Sequence, residues 1–352
     1  MMNSFVKIKN FTSRLTLDKL LIILGSLALI FIIIFFVWWG KGGSSIEVNN
    51  DDGQAGTKDN FPRSSISGVA CENADLRPFA VMLASDPITR PLSGVSEADI
   101  VFEMPVTPGG VTRMMAVYQC EEPSEIGSVR SAREDFIPLA SSLGAIYAHW
   151  GGEKEALQKL NNHAVDNIDA MKYENQYFYR KGTLPQPHNG FTNFEKLMAG
   201  AEDLNYKIDD SFSGYLHAEK PAPKNLANIA DAISVNYPNP FNINWLYDST
   251  DNNYRRLRGG QPETDKNSGN QVVSSSVILM KTTSKSISKD YISVVVSGGG
   301  EAVIYQNGMK IVGKWGKDAN RLDSKLFFYD TEGKEIEFVP GKMWVEIVTR
   351  SD

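Results

Sequence analysis

The sequence predicts an α+β protein, with a mixed α/β N-terminal domain followed by a β-rich C-terminal domain. Three observations carry this expectation. Between residues 71 and 225 short apolar runs alternate with helix-period patterns. From residue 226 to 352 the signals are nearly all strand. The two regimes meet at KPAPKN, residues 220–225, where the pattern breaks.

In the N-terminal domain, FAVML (79–83), DIVFEM (99–104) and TRMMAVYQC (112–120) read as strands. FIPLASSL (136–143) reads as a short helix, with Asp135 as its N-cap and Pro138 tolerated in the first turn. AIYAHWGGEKEALQKL (145–160) reads as a strand, a Gly-Gly turn and a helix, a junction type that often carries ligands. In the C-terminal domain, VILMKTT and YISVVVSG read as strands, as does the closing MWVEIVT. EAVIYQ and MKIVGKW flank Asn307-Gly308, and LFFYD and KEIEFV flank another turn. Asn-Gly between apolar runs is a strong hairpin signal, because both residues tolerate the positive φ of a type I′ turn.

A chain of 352 residues, 42% hydrophobic and 22% charged, has room for about two folded domains. Its formal net charge of -6 excludes a nucleic-acid binder, which needs a basic face to displace counterions from phosphates. Ahead of the domains, residues 20–39 (LLIILGSLALIFIIIFFVWW) carry no charge, and twenty such residues cross the roughly 30 Å core of a bilayer. The segment is expected to be a transmembrane helix. Lys7, Lys9, Arg14 and Lys19 precede it and only Lys41 closely follows, so residues 1–19 are placed in the cytoplasm and the remainder outside. A cleavable signal peptide is the alternative, but WWGKGGSS lacks the small-residue cleavage pattern. Residues 40–70, rich in Gly, Ser, Asn and Asp, read as a flexible tether. On the outer side Cys71 and Cys120 are expected to form a disulfide, with two buried thiols as the alternative.

Several stretches carry a family resemblance. RPFAVMLASDPITRPLSGVSEADIVFEMPVTPGGVTRMMAVYQ (77–119), then IGSVRSARE, AHWGG and PQPHNGFTN, resemble the N-terminal half of the YerB-like family of bacterial lipoproteins. NNYRRLRGGQPETDKNSG (252–269) and the GGGEAVIYQNG and GKW stretches are similar to that family's second half. The resemblance implies a protein on the outer side of the cytoplasmic membrane, with two domains of unknown function. The chain departs from that pattern twice: no cysteine lies near the apolar segment to be lipidated, and Glu263 stands where G-x-P-x-x-D usually has a histidine after the proline.

The candidate chemistry lies within or beside those blocks. Arg130 and Arg133 are three apart in GSVRSARED; on a helical turn they would share a face and clamp a carboxylate or phosphate. The structural alternatives are ion pairs with Glu134 or Asp135, or bonds to backbone carbonyls and a carboxylate of the same domain. His149, at the end of a strand, and His188, on a turn, sit where functional side chains sit, whereas His163 and His217 do not. With Arg90, Glu103, Arg113 and Asp265 they outline a candidate anion pocket. Glu103 is either a general base at the sheet edge or a partner of Arg113. Pro108-Gly109-Gly110 lacks phosphate-loop spacing and reads as a hairpin turn, and Ser128 and Ser131 lack a nucleophile motif. The second domain's aromatics, Trp245, Trp315 and Trp344 among them, are read as core rather than as a sugar-stacking face. No metal site and no cofactor are expected.

Two functions follow. The first is a membrane-anchored extracytoplasmic envelope protein that binds a cell-wall polymer or an envelope partner. The second is an envelope hydrolase or transferase that holds an anionic substrate with Arg130 and Arg133 and moves a proton with His149 or Glu103.

Overall fold

The computed structural model describes residues 61–219 and 232–351. The predicted membrane span, residues 1–19 and 40–60, and the KPAPKN break lie outside the described residues.

The first three apolar runs form strands β1 (Phe79–Ala84), β2 (Ile100–Pro105) and β3 (Thr112–Tyr118), and every residue in them is buried. They lack polar alternation because both faces of their sheet are covered. β2 and β3 form the hairpin expected around Pro108-Gly109-Gly110, with Gly110 donating to the Thr107 carbonyl. β3 pairs antiparallel to β1. On the other side of β1 lie two parallel strands, β4 (Ile146–His149) and then β5 (Asn167–Asp169).

The short helix α1 (Ile137–Ser142) precedes β4, and α2 (Lys154–Asn161) follows it. Asp135 does not cap α1. A 3₁₀ turn, Glu134–Phe136, comes first, and the Asp135 carboxylate accepts from the Val294 N–H in the C-terminal half. The later helices are α3 (Ala170–Tyr173) and α4 (Phe194–Asp203), the latter capped by the Asn193 side chain.

The C-terminal half contributes a small sheet and a large one. β6 (Ala232–Val235), β7 (Ile243–Asp248) and β8 (Asn253–Arg258) make an antiparallel sheet extended by two short strands. β9 (Ser276–Ser286), β10 (Ile292–Val294), β11 (Gly298–Gln306), β12 (Met309–Lys317), β13 (Phe327–Asp330) and β14 (Met343–Ser351) complete the rest. β11 and β12 join at Asn307 and Gly308, with φ of 53° and 71° as a type I′ turn requires.

β14 runs parallel to β9 on one side and to β2 on the other. The two halves therefore share one sheet of eleven strands, ordered β13-β12-β11-β9-β14-β2-β3-β1-β4-β5, with β10 on β9. Mostly strand with few helices, the arrangement is α+β. One face of this sheet, carrying Met82, Phe102, Met115 and Val345, packs on α1 and α2. The opposite face, carrying Leu83, Val101, Met114 and Trp344, packs on α4 and the small sheet. Trp245, Trp315 and Trp344 are buried in these cores, as read from the alternation.

Where the small sheet meets the large one, a charged network is buried. Glu103 and Glu346 are direct neighbours on β2 and β14. Arg258 makes two bonds to Glu103, at 2.8 and 2.7 Å, and Arg256 reaches Glu103 at 2.6 Å, Glu263 at 2.9 Å and Glu346 at 3.1 Å. Glu103 thus pairs with arginines 150 or so residues away and not with Arg113. Burial pushes its carboxyl up, but Arg258 and Arg256 outweigh burial and hold it below the ordinary range. Glu346 has one oxygen on Arg256 and Trp245, and the other has no hydrogen-bond partner among the described residues. Burial raises it from 4.5 to about 7.

Residues 61–70, which composition placed in the tether, are packed. Ile66 is buried, Ser64 donates to Gln119 at 2.6 Å and Ser67 donates to Asp99 at 2.7 Å. Small hydroxyl side chains here act as hydrogen-bond partners for the body of the protein. Directly after them Cys71 and Cys120 form the disulfide, with their Cα atoms 5.5 Å apart.

Replacing both cysteines with serine is expected to lower stability in denaturant unfolding by about 2–4 kcal/mol, since the bridge closes a long loop; an unchanged midpoint contradicts this. A second prediction concerns Glu346, whose folded-state pKa lies above its unfolded value. Its contribution therefore worsens as pH rises from 4.5 through about 7. Glu346→Gln keeps an acceptor for Trp245 and Arg256. It is expected to change little at about pH 5 and to add roughly 1–3 kcal/mol at about pH 8.5; equal effects at both pH values contradict the prediction.

Candidate functional site

The carboxyl ends of the parallel strands β1 and β4 are bridged by an extended segment that contains the two arginines of GSVRSARED. Ala84 N–H donates to the Ser128 carbonyl, Arg130 N–H to Met82, and Trp150 N–H to the Arg130 carbonyl. Arg133 has φ -128° and ψ 143°, so the two arginines do not lie on a helical turn. Gly127, Ser128, Val129 and Ala132 of the segment are buried, and the arginines are partly exposed at this end of the sheet.

Arg113 enters from β3, paired with Ala84 of β1 and Met104 of β2. Neighbouring residues of a strand face opposite ways. Thr112 accordingly reaches Glu103 and the buried network, whereas Arg113 faces the α1 side of the sheet with Met82 and Met104. Burial, followed by repulsion from Arg130 and Arg133, pushes the Arg113 guanidinium down to about 9. Arg130 is lowered by burial and by Arg133, with Asp86 opposing. His188 is lowered by burial and by Arg130 and Arg113. Arg113, Arg130, Arg133 and His188 therefore share one local field.

Their counter-charges are incomplete. Asp86 lies 3.9 Å from Arg113 Nη1 and Glu153 lies 4.0 Å from Arg133 Nε, both beyond hydrogen-bond range. One Glu153 oxygen is already occupied by the Glu134 N–H at 2.6 Å. Arg130 donates to the Pro187 carbonyl and Arg133 to the Ala132 carbonyl, while Arg133 also stacks on Tyr291 with its central carbon 4.9 Å from the ring centroid. The adjacent carboxylates are engaged elsewhere, Glu134 by Lys159 and Asp135 by Val294. Among the described residues, Nε and Nη1 of Arg113, Nε of Arg130, Nε of Arg133 and Nδ1 of His188 are buried without a hydrogen-bond partner, as is the acceptor Oδ2 of Asp86. Buried donors are nearly always satisfied, and unpaired guanidinium N–H groups are costly. Acceptors and negative charge are what an oxyanion would supply to such a group.

The other candidates lie apart from this group. His149 is fully buried, with Nδ1 2.8 Å from the Gly151 carbonyl and Nε2 3.2 Å from Asn167 Oδ1, and burial lowers its pKa. Both neighbours are acceptors, so the neutral ring donates to one of them, and its burial suits a structural histidine. Glu103 sits in the network on the opposite sheet face. Asp265, also buried, accepts from the N–H groups of Ser96 and Asn267 at 3.0 and 2.7 Å, pinning its loop to the N-terminal half. Arg90 donates to the Ser85 and Pro240 carbonyls beside a separate cavity. Among the described residues no three His, Cys, Asp or Glu side chains group as metal ligands.

Sequence reasoning missed Asp86, Arg256, Arg258 and Glu346. The arginine pair carried a signal, since residues two apart on a strand share a face and NYRRLR places Arg256 and Arg258 so. Asp86 and Glu346 carried none.

Residues 66–207 match the family described as Protein of unknown function (DUF3048) N-terminal domain, and residues 233–345 match its C-terminal domain. The Bacillus subtilis protein named "Putative lipoprotein YerB" is 29% identical over 296 residues, covering 82% of this chain and 87% of the relative. The crystal structure of the YerB protein from Bacillus subtilis is similar over 82% of this chain and 96% of that one, with a TM-score of 0.73 and 27% identity. Both halves thus match in order, and the solved relative has a similar fold over most of the chain. The chain belongs to the DUF3048 family, the YerB-like proteins.

Proposed function

We propose that this chain is a membrane-anchored extracytoplasmic protein of the bacterial cell envelope, and that it binds a phosphate or carboxylate group of a wall polymer or envelope partner through Arg113, Arg130, Arg133 and His188. The observation that carries this reading is the set of buried guanidinium nitrogens with no acceptor. Membrane anchoring is supported by the uncharged stretch 20–39 with its basic flank, and by a relative named as a lipoprotein. The Cys71–Cys120 disulfide suits an oxidising compartment outside the cytoplasm.

Binding is favoured over hydrolysis or transfer by the state of the proton carriers. Glu103 has both oxygens on arginines, on the opposite face of the sheet, and His149 is fully buried with both ring nitrogens against protein oxygens. Neither faces open space beside the cluster. An extended ligand fits the position, since the cluster lies where parallel strands end and Pro187 and Ile88 of the surrounding loops are exposed.

Arg113→Met tests this directly, because it removes a buried charge from a like-charged group. In anion-free buffer the variant is expected to be as stable as the parent or about 1–3 kcal/mol more stable. Inorganic phosphate is expected to raise the melting temperature of the parent and to lose roughly tenfold or more of its affinity for the variant in calorimetry. A variant that is strongly destabilised without anion, while binding phosphate as the parent does, would falsify the reading.

A further inference from the structure

A second feature stands apart from the arginine cluster. Below the loop that follows β1, a cavity of about 390 Å³ opens between the N-terminal half and the small sheet. Its size falls within the range of small-molecule sites, roughly 300–1,000 Å³. Pro91, Leu92, Pro240 and Pro262 form apolar walls, and three charged residues, Arg90, Arg258 and Glu263, enter it.

Two of those charges are already neutralised. Arg258 donates from Nε to Glu263 and from both terminal nitrogens to Glu103. Both Glu263 oxygens are occupied, one by Arg258 at 3.0 Å and the other by Arg256 at 2.9 Å. Arg90 is different. Its Nε and Nη2 donate to the Ser85 carbonyl at 3.2 and 2.7 Å, Nη2 reaches the Pro240 carbonyl at 3.3 Å, and one face of the guanidinium lies over Phe241. It makes no ion pair among the described residues. The carbonyls and the ring fix the plane of the guanidinium, and its Nη1 edge is left for a ligand. Burial, followed by Arg258, pushes the group down to about 10, with Glu263 and Glu103 opposing.

We propose that this cavity is a binding site for a small carboxylate with an apolar body, its carboxylate on Arg90 and its body against Pro91, Leu92, Pro240 and Pro262. One uncompensated guanidinium balances one negative charge. A doubly charged phosphate would leave the second charge in an apolar wall with nothing to offset its desolvation. The neighbouring residues divide the work: Asp86, four residues before Arg90 on the same loop, faces Arg113, so the loop separates a polar oxyanion site from this apolar one.

The test is equilibrium binding to the full-length protein with benzoate and hexanoate, against benzamide and hexanamide of nearly the same shape. The acids are expected to bind saturably and about tenfold or more tighter than the amides. Arg90→Met is expected to abolish that preference, while Arg113→Met leaves it in place. Because Arg90 also braces the Ser85 carbonyl, Pro262→Glu serves as a second variant: Pro262 is exposed, and a carboxylate placed at the mouth should compete for Arg90 and weaken the acids alone. Equal binding of acids and amides, absence of saturable binding by either acid, or unchanged acid binding in both Arg90→Met and Pro262→Glu overturns the proposal. Loss of phosphate binding in Arg113→Met with acid binding intact separates this site from the arginine cluster.

Discussion

The last strand of the chain enters the sheet between two strands that come from opposite halves of the sequence. β14 pairs in parallel with β9 over its full length and with β2 from Ile100 to Glu103. Without it, β2 and β9 would both present unpaired edges, and buried backbone N–H and C=O groups would lose their partners. The insertion also sets Glu346 beside Glu103, and so determines where negative charge collects inside the protein. The small sheet then brings Arg256 and Arg258 to that charge, with Trp245 and Trp344 packed edge to face at 5.3 Å around it. Charged groups at such depth are tolerated only with their hydrogen bonds filled, and here nearly all are.

The two arginine groups differ in how far their charge is met. On the small-sheet face, two arginines meet three glutamates, one of which, Glu346, burial raises to about 7. On the helix face, Arg113, Arg130 and Arg133 meet two carboxylates at 3.9 and 4.0 Å, too far for a hydrogen bond. The first arrangement is a staple between layers. The second holds like charges together at an electrostatic cost, and the proposed oxyanion would offset that cost. Thr112 and Arg113, adjacent on β3, stand on either side of this divide because a strand sends successive side chains to opposite faces.

Local signals in the sequence were sufficient for most elements. β1, β2 and β3 lie where their apolar runs lie, and the Asn307-Gly308 turn joins β11 to β12 as the dipeptide requires. Asp135 misled because a carboxylate ahead of a helix resembles a cap, while its actual partner, Val294, is far away in the chain. Residues 61–70 misled for the converse reason: a serine-rich, low-hydrophobicity segment has no core of its own, and its order comes from Gln119, Asp99 and the rest of the protein. Of the candidate residues, Arg130, Arg133, Arg113 and His188 come together, although the helical-turn argument for the first two does not hold. His149, Glu103 and Asp265 have structural partners, and Arg90 belongs to a different cavity.

By itself the sequence determined what depends on near neighbours: which runs are buried strands, where the hairpin turns, that the first forty residues include a span of membrane length, and which family the motifs resemble. Only the tertiary structure decided which charges meet. The pairing of Glu103 with Arg256 and Arg258 joins residues distant in the chain, and among the described residues no carboxylate comes within hydrogen-bond distance of Arg113. Such contacts follow from strand order and register, and a change of one residue in register would send each of those side chains to the other face of the sheet.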